Sequence, residues 1–368
     1  MNLTKAHVLF FSRKSTEYIW KTFEITFKMS SGHPQRTDNV LCISYDDVLS
    51  AHSLIKPYIV RTPLLRCTTC NYLSGKNVFL KAENLQTTGS FKFRGAVNAI
   101  ARICAKNRGV EKAAVVAHSS GNHAQAVAKA ASLFGACANV VMPKSAPACK
   151  KQAAKSYGAI VSECEPTEKA RIAAAEKIRD EKEAHLIHSS QTPEVIAGQG
   201  TIAVEMLHQN PDLDAIVAPV GGGGMISGIA VAAKHIKPSI KVYGAEPELA
   251  NDCFLSMKRG RRTPLQHTPK TIADGAKVNI GENTWAIIND LVDDVVTVSE
   301  EEIVTAVKLM WERAKLVIEP TAGLAVAAVI GKTFSKLESS KQLKNIGVVI
   351  SGGNVDFTSI LSLLETTV

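Results

Sequence analysis

Lys92 has the setting in this chain that most suggests chemistry. It stands in the run Thr88-Gly89-Ser90-Phe91-Lys92-Phe93-Arg94-Gly95-Ala96. A small polar turn precedes it and a helix-like segment, 96–100, follows. An amine buried there, or placed beside other cations, gives up its proton readily and becomes a nucleophile toward a carbonyl. An aldehyde-bearing cofactor offers such a carbonyl. A lysine at a helix start is also commonly a solvated surface group, so the run needs support from elsewhere.

Three later segments supply it. His118-Ser119-Ser120-Gly121-Asn122-His123 follows an apolar run, 113–117, and precedes an alanine-rich helical pattern. Strand, polar turn and helix together present free backbone N–H groups at a sheet edge, although an ordinary N-capped turn has the same pattern. Pro219-Val220-Gly221-Gly222-Gly223-Gly224 follows the strand-like 215–218 and leads into a helix. Four glycines let the backbone wrap an anion at a helix N-terminus. The loop lacks the Gly-Lys-Ser/Thr ending of a triphosphate site and the G-x-G-x-x-G spacing of a dinucleotide site, so it reads as a monophosphate cradle. The third segment, Val348-Val349-Ile350-Ser351-Gly352-Gly353-Asn354, is again a strand ending in serine and glycines. A serine hydroxyl there can meet a pyridine nitrogen without forcing a proton onto it.

The elements that must position these groups alternate. Strand-like runs at 115–117, 139–142, 215–217 and 348–350 are separated by alanine-rich helical stretches, which predicts α/β architecture with parallel sheets. At 368 residues, with 45% hydrophobic and 21% charged residues, the chain has ample material for a globular core and two lobes. Candidate sites then fall at the carboxyl ends of strands.

The four segments, in this order, resemble the fold-type II pyridoxal phosphate (PLP) enzymes, the serine/threonine dehydratase and serine racemase family. The resemblance runs from about Cys42 to the C-terminus. It implies two open parallel-sheet domains with the active site in their cleft. The large PLP-binding domain would comprise 39–112 and 189–368, the small one 113–188, and 1–38 is an unassigned extension. Lys92 resembles the lysine that carries the cofactor. Phe91 and Asn122 resemble residues that pack against and bond its ring, Gly221, Gly222, Gly223 and Gly224 the phosphate loop, and Ser351 the partner of the ring nitrogen. Ser119, Ser120, Asn122, His123 and Arg171 match substrate-side positions.

Bound PLP makes the Cα–H of an amino acid acidic. Lys92 can take that proton on one face, and racemisation needs a second group on the other. Family dehydratases often carry Ala-Gly-Asn-His where this chain has Ser120-Gly-Asn-His, so Ser120 is the candidate second acid/base. The resemblance thus implies a racemase of L- and D-serine that also eliminates the β-hydroxyl of serine to give pyruvate and ammonia. A serine/threonine ammonia-lyase with little racemase activity is the alternative. Glu246 and Asp252, six apart with the Ala250 carbonyl between, read from sequence as either a solvated acidic loop or a hard-cation site. The resemblance favours the latter, binding Mg²⁺, Mn²⁺ or Ca²⁺. Gln125, Tyr157 and Lys315 match positions that bind ATP between subunits of mammalian members, which also implies a homodimer. Thr87 and Ser190 depart from that pattern, where those enzymes have lysine and asparagine, and Val278 replaces a serine near the substrate.

The net charge of +9 comes from scattered basic residues. The short cluster 258–262 reads as a solvated loop, so neither nucleic acid nor a membrane is an expected partner. No apolar stretch approaches the roughly 18 to 20 residues of a membrane span. The eight cysteines form no disulfide framework, and Cys67-Thr-Thr-Cys70 has no second pair to complete a zinc site. Free thiols predict a reducing, cytoplasmic setting. In the extension, basic residues outnumber acidic ones as in a transit peptide, but Glu17 and Glu24 run against that reading.

Overall fold

The inner strands of two sheets, built mostly of buried residues, form the frame of the main unit. A computed structural model of the protein describes residues 6–10, 13–14, 17–18, 21–25, 41–107, 112–119, 121–146, 148–357 and 360. Two units separate, 1–40 and 41–368. In the first, β1 (Ala6–Phe10) pairs antiparallel with β4 (Lys21–Ile25), and β2 (Arg13–Lys14) with β3 (Glu17–Tyr18).

The second unit holds two sheets. β5 (Leu64–Arg66) and β6 (Asn77–Ala82) open the larger one. β7 (Ala114–His118), β8 (Cys137–Pro143), β9 (Ile160–Cys164) and β10 (His185–Leu186) make a separate parallel sheet in the order β10-β7-β8-β9. The chain then returns to the larger sheet with β11 (Ala215–Pro219), β12 (Lys241–Pro247), β13 (Asp294–Val298) and β14 (Asn345–Ile350). The resulting order is β13-β12-β11-β14-β6-β5, parallel except for the β5 edge. Every residue of β11 is buried, and so are Ile346 to Ile350 of β14. Continuous burial of this kind follows from helices covering both faces of a parallel sheet.

The helices are α1 (Tyr45–Ile55), α2 (Thr68–Ser74), α3 (Lys92–Lys106), α4 (Asn122–Phe134), α5 (Ala148–Ser156), α6 (Glu168–Glu181), α7 (Pro193–Gln209), α8 (Gly224–Ile236), α9 (Asp252–Arg259), α10 (Glu282–Leu291), α11 (Glu300–Leu309), α12 (Pro320–Ile330) and α13 (Lys332–Lys336). Residues of α7, α8 and α10 build the core on one face of the larger sheet, and α11 and α12 the core on the other. A third core lies under the smaller sheet, where α3 packs between α4 and α7. Helix α3 is thus an inner helix, buried from Phe93 through Ala101. The basic cluster 258–262 is exposed as expected, with Gly260 ending α9 in the left-handed conformation. No helix among the described residues is long and apolar enough to cross a membrane.

Candidate active site

Three neighbouring strands of the larger sheet deliver the key groups at their carboxyl ends. β14 lies between β11 and β6. The glycine loop follows β11, Ser351 follows β14, and the segment after β6 leads to Lys92. The smaller sheet delivers Ser119 and Asn122 from the end of β7. Open α/β sheets hold ligands at this kind of position.

The lysine turn is clamped before the helix begins. Thr88 adopts a left-handed φ of 64°, a conformation that costs a threonine on the order of 1 kcal/mol. The side chain of Asn354 donates to the Thr88 carbonyl at 2.8 Å, and Gly353 N–H to the Gly89 carbonyl at 2.9 Å. Ser90 forms an antiparallel bridge with Gly352, and Phe91 N–H donates to Ser351 O at 3.1 Å. Lys92 and Ser351, far apart in sequence, are therefore held by a shared backbone ladder. Lys92 Nζ lies 4.9 Å from the Phe91 ring centroid and donates to the Ser189 carbonyl at 3.3 Å. Burial brings its amine down to about 8, opposed by the attraction of Glu319.

A network that sequence reasoning missed supports α3 from below. Arg94 is fully buried and pairs with Glu83 at 2.8 Å and Glu205 at 2.8 Å. Lys81 reaches the same Glu205 at 2.6 Å. All four charges have charged partners, which is what makes their burial tolerable. The arginine stands two residues after Lys92, so the network fixes the turn from which the amine projects.

The glycine loop needs its glycines for two distinct reasons. Gly223 has a φ of 81°, and a Cβ on Gly221 would run into the Gly275 carbonyl oxygen. Thr284 Oγ1 donates to Gly222 O at 3.0 Å and ties the loop to α10. The turn 188–191 abuts the loop: Ser190 occupies the space where side chains at Gly222 and Gly224 would go. His188 Nδ1 accepts from Ser190 N–H at 3.2 Å and Gln191 N–H at 3.1 Å. This bend accompanies the approach of the Ser189 carbonyl to Lys92. Burial lowers His188 to about 4, with help from His118 and Lys92, and the two rings meet edge to face at 5.4 Å.

Asn122 faces the larger sheet. Its amide donates to both oxygens of Glu319, at 2.8 and 3.0 Å, and its oxygen accepts from Asn354 at 2.8 Å. Burial raises Glu319 to about 7, opposed by the Asn122 bond. His123 Nε2 donates to Ile187 O at 2.8 Å, leaving Nδ1 buried without a partner; burial and then Lys92 lower its pKa to about 3. Ser119 Oγ accepts from Gly121 N–H at 3.3 Å. Arg171, on α6, lies close enough to depress His118 further, after burial. Ser120 lies outside the described residues. Lys150 of α5 bridges to Asp274 at 3.2 Å, a second link between the parts carrying the two sheets.

Three hydroxyls in this neighbourhood, on Thr88, Ser90 and Ser351, are buried without a partner. Ser351 is only 1% exposed. An orphaned buried hydroxyl costs about 1–3 kcal/mol. The set therefore suits a polar ring and a phosphate: a hydroxyl for the ring nitrogen, a glycine cradle and a lysine with a lowered pKa. The residues present fit PLP.

The remaining expected sites behave differently. The solvated-loop reading of Glu246 and Asp252 fails, since each is 1% exposed. Glu246, next to last in β12, accepts from Cys253 N–H at 3.1 Å and Phe254 N–H at 2.8 Å, while Asp252 accepts from Ile280 N–H at 2.8 Å. Burial and then Asp252 push Glu246 well up, and burial raises Asp252 to about 6. Ala250 is buried in the turn between them. No group of three or more His, Cys, Asp or Glu among the described residues is placed to hold a metal ion. Gln125 is buried on α4, Tyr157 takes Lys129 Nζ at 5.8 Å from its ring, and exposed Lys315 follows α11 in a left-handed conformation.

Fold and site together fit the class of enzymes that use pyridoxal phosphate, with the candidate site at the strand ends of two largely parallel sheets. Residues 55–352 match the model of the "pyridoxal-phosphate dependent enzyme" family. The chain is 51% identical over 324 residues to serine racemase of Homo sapiens, covering 88% of this chain and 95% of that one. It is 40% identical over 317 residues to the β-hydroxyaspartate dehydratase of Paracoccus denitrificans, covering 86% and 98%. The solved structure of maize serine racemase superposes with a TM-score of 0.84 at 38% identity, covering 88% and 98%. The chain belongs to the pyridoxal-phosphate dependent enzyme family.

Proposed function

We propose that the protein is a PLP-dependent racemase that interconverts L- and D-serine and also eliminates the β-hydroxyl of serine to give pyruvate and ammonia. The observation that carries this reading is the Lys92 amine, lowered to about 8 beside the glycine loop and the unpartnered Ser351 hydroxyl. The half-identity to serine racemases over most of both chains supports the choice of substrate.

When bound, PLP supplies the electron sink that makes a substrate Cα–H acidic. Gly221 to Gly224 would hold its phosphate with backbone N–H groups. Ser351 Oγ would hydrogen-bond the ring nitrogen without protonating it, and Phe91 would pack against the ring. Lys92 Nζ would take and return the Cα proton on one face. The Ser120 hydroxyl would serve the other face. Ser119 and Asn122 would orient the substrate carboxylate, with His123 and Arg171 behind them. Segment 113–188 would act as the small domain, closing on 39–112 with 189–368 and excluding water from the cleft.

Three further parts belong to this reading. Glu246, Ala250 O and Asp252 would hold a divalent cation. A homodimer would bring Gln125, Tyr157 and Lys315 to a nucleotide. The free cysteines suit the cytoplasm.

Chiral analysis of the products from L-serine, with pyruvate assayed in parallel, tests the proposal. The wild-type enzyme should yield both D-serine and pyruvate. Ser120→Ala should depress racemisation and D-serine elimination by 10²-fold or more, the usual span for general acid–base groups, while L-serine elimination falls far less. Pyruvate without D-serine from the wild-type enzyme would replace the racemase reading with an ammonia-lyase.

A further inference from the structure

Cys67 and Cys70 lie outside the site and have no part in its chemistry. Cys67 precedes α2 and Cys70 falls in its first turn. The backbone N–H of Cys70 donates to Cys67 Sγ at 3.4 Å. Cys67 thus caps α2 with its own sulfur, three residues before Cys70. Their exposures differ in a useful way. Cys67 is 6% exposed between exposed Arg66 and Thr68, whereas Cys70 is fully buried in the core that contains Val78 and Leu80. Cys67 is thus the rim cysteine of this core and Cys70 the inner one. No third metal-ligating side chain joins them among the described residues, so the pair makes a poor metal site.

The hydrogen bonds also divide the labour. The Cys70 side chain brings Cys67 down to about 6 against the opposing effect of burial, with backbone N–H groups adding to it, while the Cys67 side chain and burial push Cys70 well up. The shift favours the thiolate at Cys67 and the thiol at Cys70. By contrast, burial raises the half-buried thiols of Cys42 and Cys104.

We propose that Cys67 and Cys70 form a redox-active pair that hydrogen peroxide converts to an intrachain disulfide. The Cys67 thiolate attacks one peroxide oxygen, the O–O bond breaks, and the products are a sulfenic acid on Cys67 and hydroxide, which takes up a proton to become water. The Cys70 sulfur then attacks the Cys67 sulfur. The S–O bond breaks, and the hydroxyl leaves with the Cys70 proton as a second water. Two thiols are oxidised by two electrons in all, and one peroxide is reduced to two waters.

The sequence makes the test direct, because trypsin cuts after Arg66 and Lys76 and places both cysteines in the single peptide 67–76. The cofactor-loaded full-length protein is treated with a graded series of hydrogen peroxide, remaining thiols are alkylated, and the digest is weighed. The expected result is a 67–76 peptide lighter than the unalkylated peptide by two hydrogens, at peroxide doses that leave the Cys42 and Cys104 peptides fully alkylated. Dithiothreitol should reverse it. In Cys70→Ser the same peptide should instead carry one oxygen that dimedone traps. The proposal is overturned if wild-type 67–76 stays alkylated at both positions while Cys42 or Cys104 oxidises, or if Cys67 is found bonded to a different cysteine.

Discussion

Asn122 and Glu319 meet across the cleft: the amide of one donates to both carboxylate oxygens of the other, at 2.8 and 3.0 Å. Asn122 opens the helix after the smaller sheet's first strand, and Glu319 immediately precedes α12 against the larger sheet. This contact couples the parts of the chain on which opposite walls of the site are built. It also sets a pH dependence. Burial raises Glu319 to about 7 from an ordinary 4.5. A carboxyl with a raised folded pKa contributes stability that is full below the unfolded value and is lost as pH rises through the folded one. In the cofactor-free protein, Glu319→Gln should remove that loss. The difference in unfolding free energy between variant and wild type should therefore grow in the variant's favour from pH 4.5 to 7, by on the order of 2 kcal/mol. Urea titrations at several pH values measure it. Parallel wild-type and variant curves would mean that the carboxylate ionises unhindered in the folded state.

His188 would act on the reaction through the turn it builds. Its Nδ1 accepts two backbone N–H groups, at 3.2 and 3.1 Å, beside the carbonyl that Lys92 addresses. A protonated ring would turn that acceptor into a third donor. The folded pKa is about 4 against an ordinary 6.5. The histidine's contribution to stability is thus full above 6.5 and lost as pH falls through 4. His188→Ala should lower kcat by on the order of 10²-fold through misplacement of the lysine, whereas His188→Asn, which retains an acceptor near Nδ1, should recover much of it. Equal losses in the two variants would rule out the acceptor role.

The candidate site was legible where a buried strand ends in small residues. Gly221 to Gly224 and Ser351 declared themselves in this way, because glycine and serine are costly just past a core strand unless something must come close. Lys92 was legible by its place between turn and helix, and α3 does begin at that residue. Glu319 and His188 were not, since a single carboxylate before Pro320 and a single histidine before Ser189 carry no spacing signal. The Glu319-Pro320 step marks a helix start, yet nothing local says that the carboxylate faces Asn122. The Arg94 network stayed hidden for a similar reason. Its members come from β6, the turn after it, α3 and α7, and only the fold brings them together. Glu246 and Asp252 looked solvated because two acids flank an irregular turn, but Glu246 sits on an inner strand and inherits its burial.

Arg94 gives a stability prediction independent of catalysis. Its guanidinium answers Glu83 and Glu205 at full burial. Arg94→Leu leaves Glu83 without a charged partner and Glu205 with Lys81 alone. Breaking such a network from one side typically costs about 3–5 kcal/mol. The shift in urea midpoint at unchanged m-value should report that loss. A change under about 1 kcal/mol would show that the two glutamates take up protons at little cost.

The paired carboxylates make a case for a cation that can be tested without any turnover. Glu246 and Asp252 are each 1% exposed, and burial together with Asp252 pushes Glu246 well above its ordinary range. A divalent ion would offset both penalties. Asp252 also accepts the Ile280 N–H, at the end of the loop that carries Gly275 against Gly221. An ion there would stiffen the wall of the phosphate cradle. Protein stripped by a chelator should melt at a lower temperature and recover on addition of Mn²⁺ or Mg²⁺. Binding to the native state alone contributes about 2.7 kcal/mol when the free ion is a hundredfold above its Kd. Glu246→Gln combined with Asp252→Asn should melt at the same temperature with and without the ion, since the neutral pair has lost both its repulsion and its ligand charge. Recovery by Mn²⁺ in that double variant would move the cation to another site, and an unchanged melting temperature after verified removal of metal from the wild-type protein would leave the two acids as a purely structural pair.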